Sequence, residues 1–189
     1  MNNRFVVTGG PGAGKTTVLN CLADRGYHCV PESARAIIKH RLAAGMSPRP
    51  NPDSFAKEIL DADIEKYHCN GHGDAPSFFD RSIVDALYML SYENKIGHEE
   101  TAEFLHAFPY NEVVFLLPPW GQIYVNDAER DQTFEQAVDV FKGMKRWYQL
   151  CGYQTLELPK ACIETRVTFI LKVIAELQAN HSQGQHPSR

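Results

Sequence analysis

Short apolar runs alternate along the chain with longer stretches that mix apolar and polar positions at helical spacing. Phe5, Val6 and Val7 form the first run, and a helix is predicted over residues 15–24. Further strands are predicted near Tyr27 to Val30, where Pro31 ends the run, at Pro76 to Phe79, at Glu112 to Leu117 and at Tyr153 to Leu158. Strands separated by helical stretches imply mostly parallel pairing through right-handed crossovers. The expected fold class is therefore α/β: a five-stranded, doubly wound sheet with helices on both faces. Ligands of such sheets sit at the carboxyl ends of the strands. That rule singles out Gly9 to Thr16, Glu32 to Arg35, Asp80 to Arg81, Pro118 to Trp120 and Pro159 to Ala161.

The first of these exits carries the strongest chemical signal. In "VVTGGPGAGKTT" the spacing G-x-x-x-x-G-K-T is met by Gly9, Gly14, Lys15 and Thr16, with a strand before and a helix after. Few Cβ atoms stand in the way of an anion, so the backbone N–H groups of Gly10, Pro11's neighbours, Gly12, Ala13 and Gly14 can turn inward on phosphate. Lys15 is placed to reach the β and γ phosphates and Thr16 to put a hydroxyl on Mg²⁺. Thr17 continues the helix start, whose positive end faces the charge. The pattern predicts ATP or another nucleoside triphosphate, bound with Mg²⁺ through a loop that includes Pro11.

Composition narrows the setting. A chain of 189 residues, 43% hydrophobic, suffices for one well-cored domain. The formal net charge of −4 creates no basic field for nucleic acid, so no nucleic-acid partner is expected. No apolar run approaches the roughly 18 residues that span a bilayer. No membrane partner is expected, and the protein is read as cytoplasmic. Cys21, Cys29, Cys69, Cys151 and Cys162 form no C-x-x-C pair and are read as reduced packing residues. His68, Cys69 and His72 crowd together in "YHCNGHGD", but no second ligand pair follows at a recognisable spacing, which favours a solvated loop over a metal site.

Two further exits offer charge. In "FFDRSIVDALYML", Asp80 ends a strand beside the phosphate loop, where it would hold the Mg²⁺ shell. Arg81 follows in place of an acid that would polarise water, and suits an anionic second substrate or the transferring phosphoryl group; a structural ion pair is the alternative. Ser82 is a helix cap with Asp85 in the first turn, and Asp85 serves either the substrate or the helix dipole. In "PESAR", Glu32 and Arg35 share a face if a helix starts at Pro31. Glu32 could take a proton from an attacking hydroxyl and Arg35 could clamp an anionic acceptor, or the two form a plain surface pair.

The stretch between the second and third strands, broken at "AAGMSPRPNPDSF", is expected to enclose something. "YVNDAERDQTFEQA" reads as a mobile lid that carries Arg130 to the γ phosphate, or as a solvated helix start. Trp120 and Tyr124 are either base-stacking or core-rim residues, and Lys160 lies where an adenine ring would be held.

Together "GGPGAGKTT", "PESAR", "FFDRSIVDALYML", "PPW", "NDAERDQTFEQA" and "GYQTLELPKACIETRVTFIL" resemble the family of small P-loop ATPase and kinase proteins grouped as an AAA-type domain. They are also similar to the nicotinamide-riboside kinase domain of the bacterial NAD regulator. The resemblance runs from Arg4 to about Leu177. It implies a kinase-like strand order 2-3-1-4-5 and one P-loop domain over residues 1–178, with residues 36–74 as a helical acceptor-covering part and 119–135 as a helical lid. Residues 179–189 are then expected to be a disordered tail. The activity implied is an ATP- and Mg²⁺-dependent phosphotransferase acting on a small-molecule acceptor, with Glu32 or Asp80 as base. The alternative is an ATPase or nucleotide-dependent switch acting on a protein partner. Its GTPase form is disfavoured because "NKIG" at Asn94 to Gly97 lacks the Asp that reads guanine. Oligomeric state is not legible in the sequence.

Overall fold

The structure, a computed structural model, describes residues 1–71, 73–123 and 133–183. Its strands are β1 (Arg4–Gly9), β2 (His28–Val30), β3 (Ser77–Asp80), β4 (Val113–Leu117) and β5 (Gln154–Glu157). The helices are α1 (Lys15–Asp24), α2 (Ser33–Ala43), α3 (Pro52–Cys69), α4 (Ile83–Tyr92), α5 (His98–Ala107), α6 (Phe134–Leu150) and α7 (Ile163–Gln183). The sheet runs β2-β3-β1-β4-β5 with every pairing parallel, the order and class predicted from the sequence.

Each central strand divides its side chains between two cores, as a pleat buried on both faces requires. Phe5 and Val7 of β1, Phe78 of β3 and Phe115 of β4 point toward α1 and α7, where Val18, Leu22, Val167 and Ile170 meet them. Val6, Phe79, Val114 and Leu116 point the other way, toward α3, α4 and α6. On α3 the inward stripe is Phe55, Ala56, Ile59, Leu60, Asp63 and Tyr67, and on α6 it is Ala137, Phe141, Met144 and Tyr148. Both follow the three- and four-residue spacing of a helix face.

Local signals explain the element ends. Pro52 opens α3 at a position that has no N–H to lose. Thr133 and Gln136 form a reciprocal capping box at the start of α6. Two expectations need correction. The helix of "PESAR" starts at Ser33 rather than Pro31, with Glu32 at its N-cap. The last helix runs through Gln183, so residues 179–183 are helical where a disordered tail was expected; residues 184–189 lie outside the described residues.

One backbone position fixes how closely the first loop approaches the sheet. Gly9 ends β1 at φ 144°, and a Cβ there would lie 2.4 Å from the carbonyl oxygen of Leu117 on β4. Only glycine fits. We expect Gly9→Ala to cost about 3 kcal/mol from overpacking and backbone strain, lowering the melting temperature by roughly 6–12 °C in a domain of this size. Thermal unfolding followed by circular dichroism measures it.

Candidate active site

All five strand exits bring described residues to one end of the all-parallel sheet. The Gly-rich turn leaves β1 and enters α1 through Gly14, whose φ of 82° leads the chain into the helix. Lys15 is only 8% exposed, and its Nζ donates to the carbonyl oxygens of Gly9 and Gly10, each at 3.0 Å. An ammonium has three N–H donors, so one remains for a phosphate oxygen. Burial, followed by the nearby charge of Arg81, lowers the Lys15 pKa to about 8. Thr16 and Thr17 are exposed in the first turn of α1, while Ala13 is buried.

Beside this loop, β3 ends at Asp80 and the chain turns at Arg81, which adopts φ 68°. This left-handed conformation is uncommon for a residue with a Cβ. The turn is held by the Arg81 N–H donating to the Val7 carbonyl at 3.1 Å. It aims the guanidinium at two carboxylates: Nε donates to Glu32 Oε1 at 2.8 Å and Nη1 to Asp85 Oδ1 at 3.3 Å. Burial alone would favour the neutral form, but Glu32, Asp85 and Asp80 raise the Arg81 pKa and keep it charged. The structural ion pair foreseen for Arg81 is therefore present, and it lies within the cluster at the strand exits.

Glu32 accepts from Arg81 and lies 3.4 Å from the Arg35 guanidinium through its other oxygen. Burial pushes its carboxyl up, yet Arg81 and Lys15 outweigh burial and hold Glu32 below the ordinary carboxylate range. Arg35 is exposed. Asp80 behaves differently. Burial raises its pKa despite the opposing charge of Lys15, and its Oδ1 is buried without a hydrogen-bond partner. A buried carboxylate oxygen left open, within the field of Lys15, is a hard-oxygen donor of the kind a divalent cation takes.

Asp85 is a buried anchor, 4% exposed. Its Oδ1 accepts from Thr8 Oγ1 at 2.6 Å, and its Oδ2 accepts from Tyr148 at 2.6 Å and from the Ser82 N–H at 3.0 Å. Ser82 returns the bond by capping Val84 N–H, completing the box at the start of α4. Tyr148 and Thr8 were not foreseen from sequence, since neither belongs to a motif. Arg166 was also missed. It is 1% exposed on α7, donates from Nη2 to the Ala13 carbonyl at 3.0 Å, and lies 5.9 Å from the Trp120 ring. Its only sequence signal is a charge at an inward helix position.

The remaining predicted positions are more scattered. Arg130 and Tyr124 lie outside the described residues, as does His72. Lys160 is exposed after β5, and Asn94 to Gly97 connect α4 to α5 rather than following a strand. His68 stacks edge-on against Phe108 at 5.5 Å, and among the described residues no three His, Cys, Asp or Glu side chains gather to hold a metal. No helix among the described residues is long and apolar enough to cross a membrane.

An all-parallel β2-β3-β1-β4-β5 sheet with a Gly-rich loop and lysine after β1, and acid and arginine after β3, defines a P-loop protein of kinase architecture. The chain belongs to the AAA domain family, whose model matches residues 4–166. Among solved structures it is similar to a deoxyadenosine kinase of M. mycoides with its products dCMP and dCDP. The two are 12% identical with a TM-score of 0.66, over 92% of this chain and 99% of that one. It is also similar to the NadR protein in complex with NR, at 16% identity and a TM-score of 0.63, over 93% of this chain and 51% of that one. A shikimate kinase of Acinetobacter baumannii in complex with shikimate gives 17% identity and a TM-score of 0.61, over 92% of this chain and 93% of that one. No match was found among curated protein sequences. These identities establish the fold, and substrate must be argued from the site.

The Asp85 cluster makes a sharp prediction. Tyr148→Phe leaves the ring in place but deprives a buried carboxylate of one donor, at a cost of about 1–3 kcal/mol. Tyr92→Phe, at a side chain 77% exposed, should stay within about 0.5 kcal/mol. Urea unfolding of both variants checks the contrast.

Proposed function

We propose that the protein is an ATP- and Mg²⁺-dependent phosphotransferase acting on a small-molecule hydroxyl. The observation that carries the reading is the division of labour between two carboxylates: Asp80, next to the phosphate loop, keeps a buried open oxygen, while Glu32, one strand further out, is ionised and paired with Arg81.

In this reading ATP is held by the backbone of residues 10–14, with Lys15 on its β and γ phosphates and Thr16 and Thr17 at the helix start. Bound Mg²⁺ would draw charge from those phosphates, and Asp80 and Thr16 are the side chains here that would hold it. The acceptor oxygen bonds to the γ phosphorus as the bond from that phosphorus to its bridging oxygen breaks, and ADP leaves with the electron pair. The hydroxyl proton passes to Glu32. A base held below the usual range is adequate because a loose transition state develops little charge on the attacking oxygen until late. Arg81, fixed by Glu32 and Asp85, keeps its positive charge next to the transferring group, and Arg35 stands at the open side of Glu32, where an anionic acceptor would meet it.

The test is ATP turnover by the purified protein with Mg²⁺ against nucleosides, nicotinamide riboside, nucleoside monophosphates and small polyols, with Lys15→Ala as the inactive control. One acceptor should raise turnover and yield its phosphorylated product. Glu32→Gln should then lower kcat about 10²- to 10⁴-fold while ATP affinity stays near the wild-type value. Slow hydrolysis indifferent to every acceptor would overturn the kinase reading in favour of an ATPase or switch.

Lys15 supplies a pH signature. Its pKa is lowered to about 8, and the ammonium is the form that binds phosphate, so charge is lost as pH rises through 8. ATP affinity should accordingly fall above pH 8, by up to about tenfold per pH unit. Calorimetric titration between pH 7 and pH 10 reads it.

A further inference from the structure

Arg166 keeps its guanidinium where a positive charge is hard to hold. The side chain is almost wholly buried, and the residue's backbone N–H closes the first turn of α7 on the Cys162 carbonyl at 3.2 Å, at the helix end that disfavours cations. Glu164, the acid of that turn, is taken by Arg25, whose Nη2 reaches both of its oxygens at 2.6 Å. Among the described residues no carboxylate pairs with Arg166, and burial lowers its pKa with no charge to offset it. A guanidinium does not shed its proton in response, so the uncompensated charge remains and is costly.

What the side chain touches is the Gly-rich loop. Nη2 donates to the Ala13 carbonyl at 3.0 Å, and Nη1 packs on the Gly14 backbone, where a Cβ would come within 2.9 Å of it. Nε is buried without an acceptor, and the Trp120 ring at 5.9 Å is at the outer edge of cation–π range. The Ala13–Gly14 peptide is trans and planar, so a carbonyl turned toward α7 sends the Gly14 N–H the opposite way. That N–H meets no backbone or side-chain acceptor among the described residues. Lys15, in the same loop, lies in the field of Asp80, Glu32 and Asp85, whereas Arg166 faces none of them. Arg166 therefore holds one peptide with its donor free and adds a second buried cation to the loop.

We infer that Arg166 is a positioning residue of the nucleotide site: it orients the Ala13–Gly14 peptide so that the Gly14 N–H meets the nucleotide's phosphates, and those phosphates supply the counter-charge that the guanidinium lacks. The inference rests on the reading that this loop binds a nucleoside triphosphate. Its signature is a dependence on charge. The contribution of Arg166 grows with the number of phosphates, because the field of a buried cation acts on the anion and not on base or sugar. A brace that served the fold alone would support the loop equally for every nucleotide.

The experiment observes binding separately from transfer. A non-hydrolysable ATP analogue, ADP and AMP are titrated calorimetrically, each with Mg²⁺, into the wild type, Arg166→Met and Arg166→Lys. Arg166→Met removes the charge and the donor, whereas Arg166→Lys keeps both. Arg166→Met should weaken the ATP analogue and ADP about ten- to a hundredfold and AMP markedly less, and Arg166→Lys should recover most of the loss. The peptide itself is read by magnetic resonance. Alanine labelled with ¹³C at its carbonyl and glycine labelled with ¹⁵N mark only the Ala13–Gly14 and Ala44–Gly45 peptides, the latter identified by Ala44→Ser. The Gly14 amide should move on adding the ATP analogue to the wild type and to Arg166→Lys, and move little in Arg166→Met.

Equal affinities in Arg166→Met and the wild type overturn the inference, as does a loss as large for AMP as for the ATP analogue, or an Arg166→Lys as weak as Arg166→Met. A wild-type Gly14 amide that the bound ATP analogue leaves unmoved overturns it as well, and this reading together with the Arg166→Lys affinities decides the matter even if Arg166→Met does not fold. Any of these results leaves nucleotide binding by the wild type standing. A wild type that binds no nucleotide overturns both. Binding that depends on Arg166 as expected, with no acceptor phosphorylated, sustains the inference and overturns the kinase reading alone.

Discussion

A carboxylate buried under the sheet's exit edge organises the rest of the site. Asp85 would be costly in the interior if it were unpaired, yet it collects the hydroxyl of Thr8, the phenol of Tyr148, the Ser82 N–H and the Arg81 guanidinium. These donors come from β1, from α6 and from both sides of the turn that starts α4. One acid thus ties the strand that leads into the phosphate loop to the turn after β3. Arg81 can hold its left-handed backbone because Asp85 and Glu32 fix the side chain at both ends. Glu32 in turn is held at the N-cap of α2 by that same guanidinium.

Strand order distributes the chemistry. The phosphate loop follows the central strand β1, Asp80 ends its neighbour β3, and Glu32 follows β2 at the sheet edge. Moving outward along this side, the exits pass from a Gly-rich loop with a buried lysine, to an acid with an unused oxygen, to an acid already paired with arginine. In the proposed reaction nucleotide and acceptor would take separate halves of this edge. A wider cleft of about 500 Å³ at the opposite end, near Arg25, His28 and Cys69, holds none of these groups.

Much of this arrangement is legible in the chain because it is local. Gly9, Gly14, Lys15 and Thr16 lie within one turn and one helix start, and the strand-exit rule turns the parallel order into positions for Glu32, Asp80 and Arg81. The cap at Ser82 and Asp85 is likewise local, although the depth of Asp85 is not. Tyr148, Thr8 and Arg166 escaped because their roles depend on which distant helix packs over which strand, and no short spacing encodes that. Asp63 stands where the α3 stripe calls for an apolar side chain, and the Ser33 hydroxyl it accepts from lies in another helix, 30 positions away. The start of α2 shows the opposite effect: Glu32, engaged by Arg81 from β3, remains outside the helix that its sequence neighbours would extend to Pro31.

The bond from Arg166 to the Ala13 carbonyl joins residues 153 positions apart. During synthesis β1 and its loop emerge well before α7, which brings the guanidinium that braces the loop. The central strand also waits for both of its neighbours, β3 and β4, each made later. The Gly-rich loop is therefore made well before the helix that braces it, so a chain stalled before α7 would display the most recognisable sequence of the protein without its finished shape.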